Sequence, residues 1–179
     1  MAQFKAFSPT VQVNGETVLS IVEGMGAFKP TALQILADNG IKDPQPGQWY
    51  SQQAWLDAFK TISEKLGPVT LYSIGLKIPE TAKFPPSIDS IEKALASIDV
   101  AYHMNHRMGE IGNYKYEATG EKSARMICTN PYPCDFDRGI IEAVAKRFRP
   151  KGSLVRVKHD DSAPCRKQGA ESCTYLIEW

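Results

Sequence analysis

Four cysteines and three histidines carry most of the chemical scope of this 179-residue chain. The cysteines form two pairs, Cys128 with Cys134 and Cys165 with Cys173, and each pair flanks a turn. Thiolates and imidazoles delivered from loops are the donors of a tetrahedral metal site, and His159, Asp160 and Asp161 stand just ahead of Cys165. The spacing is looser than the paired C-x-x-C of a zinc ribbon, and free cysteine is also at home as a small buried strand residue. Cys134 directly precedes a predicted helix, whose N-terminus lowers a thiol pKa, so a reactive thiolate is a second reading. A nucleophile also needs a base and an oxyanion site, and the adjacent sequence supplies neither.

His103 and His106 lie three apart near the end of another predicted helix. They share roughly one face, a geometry that suits a metal or an axial haem ligand, although a helix C-terminus is also an ordinary place for histidine. Trp55, Tyr102, Met104 and Met126, together with the two histidines, are candidate lining for an apolar cavity between helices and a sheet; their simplest duty is core. No G-x-G-x-x-G, Walker or catalytic-triad pattern occurs, which leaves nucleotide binding and triad chemistry without support.

The elements that must position these residues change character along the chain. Short apolar segments sit between Asn14 and Gly24 and between Pro30 and Gly40. Ser51 to Leu66 predicts a helix, with Ser51 as N-cap, Trp55, Phe59, Ile62 and Leu66 on one face, and Gly67-Pro68 as its stop. A second long helix is predicted to begin at Pro86-Ser87, with Ile88, Ile91, Leu95, Ile98 and Tyr102 as its stripe. After Gly109 the period turns to alternation: strands at Tyr114–Glu117 and Ala124–Cys128, a helix from Asp135 to Phe148, and strands at Leu154–Lys158 and Cys173–Trp179. Helices first and antiparallel strands after predict an α+β domain, N-terminal helices packed on a mostly antiparallel four-stranded sheet, with strand-strand-helix-strand-strand order in the C-terminal half.

Composition is that of one ordinary globular domain spanning 1–179: 42% hydrophobic, 23% charged, with 21 basic against 20 acidic residues and a net charge of +1. That balance argues against a nucleic-acid partner, and no apolar run approaches the roughly 20 residues of a membrane helix. The start, Met1-Ala2-Gln3-Phe4-Lys5, lacks a signal-peptide layout, so a cytoplasmic location with reduced cysteines is expected.

The segment Cys165-x7-Cys173-Thr174-Tyr175-Leu176-Ile177-Glu178-Trp179, with Gly169 between the cysteines, resembles the 4-vinyl reductase family of small-molecule-binding domains. The related sensory domains of phenol-responsive regulators hold a structural zinc beside an aromatic-ligand pocket. The resemblance implies Cys165 and Cys173 as metal ligands, with one of Cys128 and Cys134 as the third. The family's Glu three residues before the first late cysteine is Ser162 here, so His159, Asp160 or Asp161 would have to substitute. The order of elements also resembles the wider superfamily of haem–nitric-oxide-binding (H-NOX) domains and TRAPP tethering subunits. The helix bearing His103 resembles the proximal-histidine helix of the haem-binding members. Their Tyr-x-Ser-x-Arg motif for the haem propionates is replaced here by Cys128-Thr129-Asn130-Pro131-Tyr132-Pro133-Cys134.

These readings give a small hydrophobic-ligand-binding sensor or carrier domain, braced by its cysteines with or without zinc and signalling through a partner protein. The alternative is a haem-based gas sensor using His103 or His106, and a further one is a dimeric scaffold subunit. Zinc is the cofactor expected first and haem the less favoured one. A homodimer fits the resemblance, and the chain is expected not to be an enzyme.

Overall fold

The computed structural model describes residues 3–179; Met1 and Ala2, where the reading of the chain start begins, lie outside the described residues. The N-terminal half is helical. Strand β1 (Gln12–Asn14) leads into short helices α1 (Gly15–Val18) and α2 (Ser20–Gly24), followed by α3 (Lys29–Asp38). Strand β2 (Trp49–Ser51) precedes α4 (Gln52–Leu66), α5 (Pro68–Thr81) and α6 (Ile91–Met104). Strand β3 (His106–Arg107) follows α6 directly, and β1 pairs antiparallel with both β2 and β3 to make a small three-stranded sheet. The C-terminal half contains β4 (Asn113–Gly120), β5 (Ser123–Thr129), α7 (Cys134–Phe148), β6 (Arg156–His159) and β7 (Cys173–Glu178). Its sheet is antiparallel throughout, in the order β4-β5-β7-β6. The α+β class and the four-stranded sheet therefore stand as the sequence predicts.

One helix start is corrected, and two elements were not foreseen. Gly67 takes φ 81° and closes α4 where the sequence predicts its stop, but Pro68 opens a further helix, α5, at its first position, where a missing N–H is no loss. The α6 helix starts at Ile91 rather than Pro86-Ser87, because Ser87 has φ 66° and Ser90 is the N-cap, its hydroxyl accepting from the Lys93 N–H. The three-stranded sheet was not foreseen, since strands of two or three residues carry no alternation to read.

Helices α5 and α7 make the most extensive helix contact, and two glycines permit it. A Cβ on Gly75 would stand 2.2 Å from the Phe136 carbonyl oxygen, and one on Gly139 would stand 2.3 Å from that of Tyr72. This close crossing sets α7 against the helical layer while its other side packs on the sheet. Trp55, Phe59, Tyr132 and Phe136 form an aromatic cluster at the junction, with centroids 4.7 to 6.0 Å apart. Among the described residues no helix is long and apolar enough to cross a membrane.

Candidate functional site

Two sites flank the start of α7. The first is an apolar cavity of about 40 Å³ lined by Trp55, Tyr102, His106, Tyr114, Tyr132 and Phe136 among others. Room for one water takes roughly 10–15 Å³ on this measure, so the cavity in this conformation admits a diatomic molecule or two to three waters. His106 is held there by its neighbours. The preceding residue, Asn105, ties the end of α6 to Asn14 and Thr17 and exchanges two hydrogen bonds with the Lys83 backbone. Strand β3 then pairs His106 with Val13. Its Nδ1 lies 2.8 Å from the Tyr102 carbonyl oxygen, which fixes the proton there, and its Nε2 lies 2.6 Å from the Tyr132 hydroxyl. Burial holds the imidazole neutral, with its pKa lowered to about 4, and His103 adds a smaller push in the same direction. Tyr132 also accepts from Gln52 Nε2 at 2.9 Å. Two buried polar atoms beside this group, Trp55 Nε1 and Gln52 Oε1, have no hydrogen-bond partner.

The second site is a group of sulfurs. Cys134 Sγ lies 3.0 Å from Cys173 Sγ and 3.7 Å from Cys165 Sγ, and the two late cysteines are 3.8 Å apart. One ligand atom from each of Cys134, His159, Cys165 and Cys173 falls within a 4.8 Å group. Thiolate–metal bonds of about 2.3 Å make tetrahedron edges of roughly 3.8 Å, which two of the three sulfur separations match. His159 Nδ1 sits 3.1 Å from an Asp161 carboxylate oxygen, leaving Nε2, which is buried without a partner, to ligate. The site opens on a polar cavity of about 390 Å³ bordered by Asp135, Arg138, Asp161 and Lys167. The donor set fits a borderline-soft divalent metal.

The structure thus gathers Cys134, His159, Cys165 and Cys173 and leaves Cys128 out. Cys128 is opposite Cys173 in register, but it is on β5, whereas His159 and the Cys165 turn approach β7 from its β6 side. Trp55, Tyr102 and His106 line the cavity. His103 and Met104 do not: both are exposed on α6, with His103 Nδ1 on the Asp99 carbonyl oxygen. Met126 is buried under the sheet, opposite Tyr175, away from the cavity.

Sequence reasoning missed the residues between the two sites. Arg166 and Asp137 form a wholly buried ion pair, and the Arg166 guanidinium also donates to Asn130 through its backbone and side-chain oxygens. Burial raises the Asp137 pKa to about 6, against the pull of Arg166 and Tyr114, and Asp137 in turn raises that of Arg166 against its own burial. The signal for this group was faint: an arginine next to one cysteine, and a Pro-Tyr-Pro between two others.

No family model and no curated protein matches the sequence. Solved structures do. An H-NOX protein from S. oneidensis in the Fe(II)NO ligation state is 12% identical, with TM-score 0.62, and the match covers 91% of this chain and 97% of that one. The fold is that of the H-NOX domains. An oxygen-binding H-NOX domain related to soluble guanylate cyclases, in its oxygen complex, is 15% identical with TM-score 0.65, covering 92% and 91%. A structure described by its haem redox potential and porphyrin distortion is 16% identical with TM-score 0.66, covering 93% and 99%. These H-NOX neighbours overturn the expected ranking that put haem behind zinc: by their descriptions they are haem and gas-ligand structures.

The fit of haem to this chain is partial. A neutral imidazole in an apolar setting is an axial donor, and His106 supplies it. The 40 Å³ cavity has no space for a porphyrin in this conformation, and no lysine or arginine lines it to hold carboxylates.

Proposed function

We propose that this domain is a sensor built on the H-NOX fold and that the cavity at His106 is where it senses. The observation that carries the reading is the placement of His106: the only histidine among the cavity-lining residues, neutral, and hydrogen-bonded to Tyr132. Haem-based gas sensing is its favoured form because the fold neighbours are haem proteins, with His106 rather than the exposed His103 as the axial donor. A bound haem supplies an iron that takes a diatomic ligand. This chain would supply His106 Nε2 as the donor once the Tyr132 hydroxyl releases it, the Tyr102 carbonyl that holds Nδ1–H and so orients the imidazole, and the apolar walls that exclude water. Trp55, Tyr132 and Phe136 have to yield space for it.

The unpartnered Trp55 N–H and Gln52 carbonyl favour a second reading, in which a small molecule with a hydroxyl-like group binds the cavity directly. That reading agrees with the resemblance of the C-terminal segment to the 4-vinyl reductase type of binding domain. Cys134, His159, Cys165 and Cys173 are, in either form, a metal centre that braces the wall behind α7. A single sensing domain in the cytoplasm, acting through a partner or a second copy rather than as an enzyme, completes the proposal.

Haemin reconstitution tests it. The account expects a Soret band that binds at one equivalent and is lost or strongly shifted in His106→Gln, with His103→Gln unchanged. Absence of a haem complex in the wild type, together with a thermal shift from small phenols or alcohols, would replace haem with the direct ligand.

A further inference from the structure

The two sites are joined by buried polar bonds, with Arg166 at the hub. Its backbone N–H and its Nε each donate to Cys173 Sγ at 3.4 Å. Its guanidinium reaches away from the sulfurs to Asp137 and Asn130. From there two arms run to the cavity. Asp137 accepts from the Tyr114 hydroxyl at 2.6 Å, and Tyr114 is cavity wall. Asn130 Oδ1 accepts from the Tyr132 N–H at 2.9 Å, and Tyr132 holds His106. Arg166, Asp137, Asn130, Tyr132 and Tyr114 are at most 4% exposed, so water neither screens these bonds nor replaces them.

We infer that Arg166 couples metal occupancy of the Cys134–His159–Cys165–Cys173 group to the shape of the His106 cavity. The reason is geometric. A metal with thiolate bonds of about 2.3 Å requires sulfurs roughly 3.8 Å apart, whereas Cys134 and Cys173 are 3.0 Å apart. Seating the ion must spread that pair. Cys173 carries two donors from Arg166, and Cys134 begins the helix that bears Asp137. Spreading the sulfurs therefore shifts both ends of the Arg166–Asp137 pair and, through its arms, Tyr114 and Tyr132. Coupling of this kind is reciprocal, so a ligand in the cavity changes metal affinity by the same factor. The biological use of the coupling rests on the sensing reading of the cavity; the coupling itself does not.

The three histidines make the test, since one lies in each site and the third in neither. Cadmium, which is diamagnetic, is titrated into metal-free reduced protein while the imidazole resonances are followed by NMR, without haem or gas. The inference expects His159 to shift as a ligand, His106 to shift in step with it, and exposed His103 to stay in place. In Arg166→Met/Asp137→Leu, which keeps all four ligands and replaces the buried pair by apolar side chains, His159 still shifts and the His106 response is lost. Tyr114→Phe, which cuts one arm and is milder should the double variant not fold, reduces the His106 shift. A wild-type His106 that stays still while His159 moves overturns the coupling, as does a His106 response undiminished in the folded double variant and in Tyr114→Phe. A silent His159 removes the metal site and the inference with it. None of these outcomes depends on whether the cavity takes haem, so failure of the sensing reading is seen separately.

Discussion

The cavity at His106 and the sulfur group at Cys173 lie on opposite sides of one short segment, residues 130 to 137, yet they are built in opposite ways. The cavity is small and apolar, and it holds a single imidazole, kept neutral by burial and positioned by Tyr132, Asn105 and a two-residue strand. The sulfur group borders a larger, more polar cavity of about 390 Å³ edged by charged side chains. A site that senses a small apolar molecule needs the first kind of environment; a site that takes up an ion needs the second. What lets one chain hold both is the layer between them, a buried Arg166–Asp137 pair with all its oxygens occupied.

That layer is where the largest effect is expected. Arg166→Met alone leaves Asp137 as an uncompensated buried carboxylate and should cost about 3–5 kcal/mol in urea unfolding, with most of it recovered when Asp137→Leu is added. If the single and double variants are equally unstable, the pair is not the partition described.

The next effect separates the cavity from the sulfur group by pH. His106 has a folded pKa of about 4, below its ordinary value near 6.5, so its contribution is fully present above pH 6.5 and is lost as pH falls towards 4. Between pH 7 and 4.5, in chelator, the wild type should lose about 2–3 kcal/mol more than His106→Gln. Asp137, raised to about 6, acts in the opposite direction but is common to both proteins and cancels in the difference.

Gly139→Ala sharpens the comparison by pushing α7 off α5 at a 2.3 Å contact, and a loss of about 1–3 kcal/mol is expected with both sites disturbed. Ser90→Ala should cost about 1 kcal/mol by removing the α6 cap, and it should affect metal binding little because α6 carries only the cavity side.

The sequence told more about the elements than about the sites. Ser51, Gly67 and the stripe from Trp55 to Leu66 mark α4 because capping and helical period are local signals. Gly67-Pro68 reads as the stop of α4, and it is. The helix that begins at Pro68 is missed because a proline after glycine serves equally to end one helix or to begin the next, and α5 is secured by its packing against α7. The cysteines announced themselves by type, but Cys128 and Cys134 could be separated only once β6 was known to lie beyond β7. His103 and His106 differ by less than one helical turn. The turn from α6 into β3 sends one to solvent and the other into the core, which no periodicity contains. Arg166 and Asp137 are 29 residues apart and meet only through the fold.

The claim that the His106 cavity is the sensing site is tested most directly by adding nitric oxide to ferrous, haem-loaded protein and recording the visible spectrum alongside that of His106→Gln. The account predicts a haem complex whose bands shift on gas binding in the wild type and whose unliganded spectrum already differs in the variant. A spectrum that is the same in both proteins, or that of free haem in each, would contradict it.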